Sequence, residues 1–143
     1  MSSITLDQAN AIIAAAFAKA RDLALKPLGV VVVLDAGGHM IAAQRQDGAS
    51  ALRLQIAQGK ATGALGLGVS SRKIAEMAVE KPTFVTALAT LASSGIVPAA
   101  GGVIVVGSFG GPLGAVGISG DTSDNDEVCV LAGLAAAGLK PQA

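Results

Sequence analysis

Two hydrophobic segments punctuated by glycine restrict what this chain can fold into: Gly29 to Gln46 (GVVVVLDAGGHMIAAQRQ) and Gly101 to Gly120 (GGVIVVGSFGGPLGAVGISG). Glycine lacks a Cβ, so the backbone can take φ > 0 in tight turns and a neighbouring segment can approach closely. Both segments therefore read as β-hairpins. His39, the only histidine of the chain, stands just past the first turn, Ala36 to Gly38.

Hydrophobic spacing places the remaining elements around these hairpins. Thr5 and Gln8 form a capping-box pair, and Ala9, Ile12, Ile13, Ala16, Phe17, Ala20 and Leu23 recur at helical intervals. A first helix is expected from about Leu6 to Leu25, stopped by Pro27. The run Leu28 to Leu34 is apolar without alternation, as in a strand covered on both faces. Period-two geometry on the return strand groups His39, Ile41, Ala43 and Arg45 on one face, with His39 and Arg45 about 20 Å apart. Asp47 and Gly48 close this hairpin. Helices are predicted from Ser50 to about Leu65, from Ser70 or Ser71 to Glu80, and from Pro82 to Leu91. A short extended piece, Ile96 to Pro98, precedes strands at Val103 to Val106 and Leu113 to Ser119. Thr122 or Ser123 caps a last helix that runs to Ala137, with Gly138 at its C-terminal end. Antiparallel neighbours and flanking helices make an α+β arrangement.

A length of 143 residues suits one domain, 1–143, with a single core. Ten acidic and ten basic residues cancel, and no basic stripe alternates with aromatics, which argues against nucleic acid and anionic membranes as partners. Hydrophobic residues make up 52% of the chain, and no charged side chain occurs between Lys81 and Asp121. Prolines and glycines interrupt this stretch too often for a membrane span, so its apolar surplus is expected at an interface between copies of the chain. The N-terminus lacks a basic, secretory-type start, which favours a cytoplasmic location. Cys129 lies in an apolar, helical run and reads as a small buried hydrophobe.

Several residues carry possible chemistry. His39 can ligate iron through a ring nitrogen, or serve only as a polar turn residue. Lys60, in a weakly charged helix, can meet a carboxylate or lie with its ammonium in water. Gly101 and Gly102 offer backbone N–H groups, as does Thr122 at a helix N-terminus, although Asp124, Asp126 and Glu127 already suit that helix dipole. Glu127 and Thr122 also supply oxygen atoms, and Arg45 a guanidinium on the hairpin. Asp35 and Asp47 flank turns, where such side chains bond local backbone. Glu76 and Glu80 fit one solvated helix face. No convergent set of titratable groups marks a catalytic centre.

Four segments, LDAGGHMIAAQRQDGA (Leu34 to Ala49), AQGKATGALGLG (Ala57 to Gly68), IVPAAGGVIVV (Ile96 to Val106) and GAVGISGDTSDNDEVCVLAGL (Gly114 to Leu134), occur in an order that resembles the GlcG or HbpS-like family. That family includes the C-terminal domain of PduO-type adenosyltransferases. The resemblance implies a profilin-like, roadblock-like domain around an antiparallel sheet, and homo-oligomers. Some members bind haem and others are accessory proteins of catabolic operons. Where many relatives read G-G-V-P-I, this chain has Ile104, which restores a strand N–H. The resemblance leads to a cytoplasmic, homo-oligomeric accessory protein holding haem or a related small organic ligand near the glycine-rich strands, at a subunit interface. His39 is the candidate metal ligand, and the candidate contact set is His39, Arg45, Lys60, Gly101, Gly102, Thr122 and Glu127. Two alternatives stand beside it. One is an enzyme acting on a small hydroxy or keto acid with His39 or Lys60 as acid–base group; the other is a ligand-free assembly module.

Overall fold

A computed structural model describes residues 3–25 and 29–143. The expected stop at Pro27 and the strand start at Leu28 lie outside the described residues. Helices are α1 (Leu6–Asp22), α2 (Arg53–Leu67), α3 (Ser71–Glu80), α4 (Pro82–Ala89) and α5 (Ser123–Ala136); strands are β1 (Val30–Asp35), β2 (Met40–Arg45), β3 (Gly102–Val106), β4 (Pro112–Ser119) and β5 (Lys140–Pro141). The strands make one antiparallel sheet in the order β2-β1-β4-β3-β5. The α+β expectation is met.

Side-chain alternation on the central strands sorts the core into two layers. Val31 and Val33 of β1, Val116 and Ile118 of β4, and Val103 and Val105 of β3 point to the side where α1 and α5 pack together. Val30, Val32, Leu34 and Ala115 point the other way, onto Ala57 and Ala61 of α2. Every residue from Val30 to Leu34 is buried, as a strand covered on both faces requires. The Thr5–Gln8 capping box is present, Ser70 caps α3 and Thr122 caps α5. Gly138 takes positive φ beyond the end of α5, and Leu139 N–H reaches back to Leu134 carbonyl, closing that terminus.

α2 lies unusually close to the sheet. It presents alanine and glycine, and a Cβ on Gly117 would overlap the carbonyl oxygen of Ala57, while one on Gly102 would overlap that of Lys60. Glycine at these two positions lets helix backbone touch strand backbone.

The structure departs from the sequence expectations in five places. The strict alternation of β2 fails because Val33 pairs with Ala42 but Leu34 with Met40, so Ile41 is an extra residue in a bulge, and Ile41 and Ala42 both pack toward α1 and α5. The segment Ile96 to Pro98 joins no strand; Val97 N–H donates to Gly59 carbonyl and the segment docks on α2. Helix α2 starts at Arg53 rather than Ser50, after a turn through Ala51 and Leu52, and α4 ends at Ala89, short of Leu91. Strand β5 was not expected. Its two residues follow the α5 cap and pair with Val105 and Val106.

Candidate functional site

The two ends of the sheet differ in chemistry. At the end where β4 runs into α5, five of the expected contact residues gather: Lys60, Gly101, Gly102, Thr122 and Glu127. The charge at the centre of this group is internal. Lys60 is only 3% exposed; its Nζ donates to Ile118 carbonyl at 2.9 Å and to Asp126 Oδ2 at 3.1 Å. Asp126 also accepts from the backbone N–H of Asp121 at 2.9 Å and, more loosely, from Gly120. Burial pushes the Lys60 ammonium below its ordinary range and the Asp126 carboxyl above its own, and the attraction between them works against both displacements. Gly101 leaves room for this pair, since a Cβ there would sit 3.0 Å from Lys60 Nζ.

Other groups at this end are likewise engaged. Gly102 N–H donates to the buried Ser71 Oγ at 2.7 Å. Thr122 Oγ1 accepts from Asn125 N–H as the α5 cap. Glu127 accepts from Arg72 Nε with both oxygens, and Arg72 reaches Asp124 as well, hydrogen bonds that raise the guanidinium above its ordinary value. Asn125 holds the Asp121 carboxyl below the usual carboxylate range. Lys60 is therefore neither solvated nor free to act as an acid–base group. Its partner, Asp126, was read from sequence only as part of an acidic first turn; the signal available was one lysine in an otherwise uncharged alanine- and glycine-rich stretch of helix.

At the opposite end of the sheet stand the β1–β2 and β3–β4 turns. Asp35 pairs with Gly114 in the ladder, so the two turns emerge side by side. Asp35 Oδ1 accepts from Gly37 and His39 N–H at 2.9 Å each, the local turn bonding expected of it. The same oxygen lies 3.3 Å from His39 Nδ1, on an imidazole 82% exposed. Bonding from His39 N–H, chiefly, holds the Asp35 carboxyl below its ordinary value. The carboxylate thus backs one ring nitrogen and leaves Nε2 outside the contact, the arrangement that orients a ligating histidine. Phe109, at the tip of the β3–β4 turn, is wholly exposed. With Val106, Leu113, Leu139, Gln8 and Lys140 it lines a cavity of about 460 Å³. From sequence Asp35 was read as a turn residue only, not as the group behind the imidazole, and Phe109 was not singled out; a carboxylate one turn before a lone histidine was the available signal.

Arg45 sits at the other end of β2 from His39, across Val30 from Ser119, and is exposed. Arg53 Nη1, on α2, donates to Ser119 Oγ at 3.2 Å. The structure does not bring His39 together with the group around Lys60.

The model of the family described as haem degrading protein HbpS-like matches residues 4–135. The chain belongs to this HbpS-like family. Among solved structures, HbpS is 26% identical with a TM-score of 0.79, the match covering 94% of this chain and 90% of that one. Protein ORFY of Klebsiella pneumoniae is 27% identical, with a TM-score of 0.82 and coverage of 96% and 92%. A PduOC–haem complex, at 20% identity, a TM-score of 0.83 and coverage of 99% of both chains, shares the fold. No curated protein sequence matches. Among the described residues of this HbpS-like chain, no helix is long and apolar enough to cross a membrane, and no group of three or more His, Cys, Asp or Glu side chains is arranged to hold a metal ion.

Proposed function

We propose that this HbpS-like protein is a cytoplasmic, homo-oligomeric accessory protein that binds haem, with His39 as the residue that would hold its iron. The observation that carries the reading is the exposed imidazole of His39, its Nδ1 backed by the Asp35 carboxylate, in a chain whose family model describes haem-degrading proteins. The donor set fits the group. A porphyrin brings four nitrogens of its own, so one protein ligand suffices and a multi-residue metal cluster is not required. When bound, haem supplies an iron centre open to a further ligand. Asp35 would fix the imidazole so that Nε2 faces outward. The wholly exposed Phe109 and the half-exposed Met40 offer apolar contact at the same end of the sheet.

An imidazole this exposed cannot exclude water from an iron ligand within one chain, so the reading includes a second copy that closes the site. A chain with the same fold, PduOC, is known as a haem complex, which supports haem as the ligand. Arg45, whose guanidinium makes no ion pair among the described residues, lies about 20 Å from His39 of the same chain, so it is a candidate partner for a propionate only from the second copy. Lys60, Gly102, Thr122 and Glu127, engaged in internal bonds, and Gly101, whose carbonyl accepts from Ile118 N–H, act in this reading as the rigid end of the sheet rather than as ligand contacts.

Hemin titration tests it. The wild type is expected to give a defined Soret band with saturable binding, and His39→Ala to shift that band and weaken affinity by about tenfold or more. His39→Ala binding hemin like the wild type, with the same spectrum, would show that the histidine is not the ligand.

A further inference from the structure

Positive charge gathers where β2 and β4 end beside the start of α2, and only part of it is neutralised. Arg45 of β2 and Ser119 of β4 both pair with Val30 of β1, so their side chains stand on the face of the sheet that carries α2, one on each side of Val30. Arg53, the first residue of α2, donates from Nη1 to Ser119 Oγ at 3.2 Å. Two strand spacings, about 10 Å, separate the Arg45 and Ser119 backbones, so the two guanidinium groups can close on one group between them. Neither forms an ion pair among the described residues, although Asp47 follows Arg45 by two positions and Asp121 follows Ser119 by two. Lys60 lies close enough that its ammonium, depressed chiefly by burial, is pushed down further by Arg53. Its counter-ion is Asp126. Three cations thus share one carboxylate. The start of α2 adds to the field, having neither a capping side chain nor an acidic residue in its first turn, where α1 and α5 have both.

The size of this excess, two positive charges, decides the ligand. One carboxylate would neutralise half of it; a phosphoryl dianion neutralises all of it, and its oxygens match the planar fork of a guanidinium. We propose that Arg45 and Arg53 together bind a phosphoryl dianion, either free phosphate or the phosphate of a monoester, beside the hydroxyl of Ser119. That hydroxyl belongs to a residue only 1% exposed, and it anchors the Arg53 fork through one N–H group while leaving the others for the ligand. The site lies at the other end of the sheet from His39 and does not depend on the haem reading.

Isothermal titration calorimetry with inorganic phosphate, phenyl phosphate and succinate at pH 8 tests it. Inorganic phosphate is expected to bind saturably, and Arg45→Gln or Arg53→Gln to weaken binding by about tenfold or more. Arg45 makes no bond among the described residues, so Arg45→Gln is expected to melt like the wild type and carries the test if Arg53→Gln fails to fold. Arg21→Gln, which removes the same charge from an exposed position on α1, is expected to change nothing, and so is His39→Ala, which separates this site from the haem reading. Phenyl phosphate binding is expected to weaken as pH falls through about 6, where the ligand takes up its second proton and both arginines stay charged. The one histidine is at the other end of the sheet, so that proton goes to the ligand. Tighter binding of phenyl phosphate assigns the site to an organic monoester, tighter binding of inorganic phosphate to the free ion, and either upholds the proposal. Absence of saturable phosphate binding, binding that survives Arg45→Gln, or succinate binding more tightly than both phosphates overturns it.

Discussion

Gly117 and Gly102 show how much of this structure depends on an absent atom. A valine at Gly117 would drive its side chain into the Ala57 carbonyl, and the neighbour it meets is helix backbone, which cannot swing aside as a flexible side chain would. Gly117→Val is expected to cost at least about 3 kcal/mol, the upper range for overpacking, and Gly102→Val a similar amount. His39→Ala removes a mostly exposed ring and is expected to stay within about 1 kcal/mol. Thermal melts of the three variants check this; equal melting temperatures would contradict it. The sequence allowed the glycines to be recognised as close-approach sites, because two glycine-studded apolar strands have few other uses. It did not say what approaches. That the partner is α2, through carbonyl groups, depends on residues far away in the chain.

Elements with local determinants were the most legible. The Thr5–Gln8 box, the Ser70 and Thr122 caps and Gly138 each act within a turn of their own position, and each does in the structure what its sequence neighbourhood implies. Features set by a distant partner were not. The bulge at Ile41 belongs to the pairing with β1, and nothing in the alternation of β2 announces it. The Lys60–Asp126 pair joins α2 to α5 across the chain and cannot be inferred from either helix alone. Its energetics are those of a buried ion pair, in which loss of one partner strands the other. Asp126→Asn is expected to cost about 3–5 kcal/mol, and Lys60→Met a comparable amount. The double variant Lys60→Met/Asp126→Asn keeps an acceptor for Asp121 N–H and strands no charge, so its cost is expected to fall well below the sum of the single losses. Urea unfolding of the four proteins measures the coupling; additive losses would mean that the pair is not a unit.

For the molecule as a whole, Cys129 is a reporter of global opening. It is fully buried between the helices and the sheet, and burial pushes its thiol up to about 11 from 9.0. The folded value lies above the unfolded one, so the resulting stabilisation is fully present below pH 9 and is lost as pH rises toward 11. The loss amounts to about 3 kcal/mol at the alkaline limit. The wild type is expected to lose more stability than Cys129→Val between pH 8 and pH 11. At neutral pH a thiol reagent is expected to label Cys129 only at the rate of global unfolding; parallel pH profiles for the two proteins, or rapid labelling of the native state, would count against this. The apolar character of the surrounding run sufficed to place this thiol inside, because a small hydrophobe in a helix of apolar neighbours has one place to go.

The near-contact of α2 with the sheet has a mechanical consequence. Layers that slide past one another do so on interlocking side chains, which act as bearings and shift by changing rotamers. Between α2 and the strands at Gly102 and Gly117 there are no such bearings: backbone rests on backbone, and rolling or shearing the helix would push carbonyl groups into strand atoms. The α2–sheet unit must therefore move as one solid piece, leaving the turns at the far end of the sheet, where His39 and Phe109 stand, as the parts able to yield when something docks there.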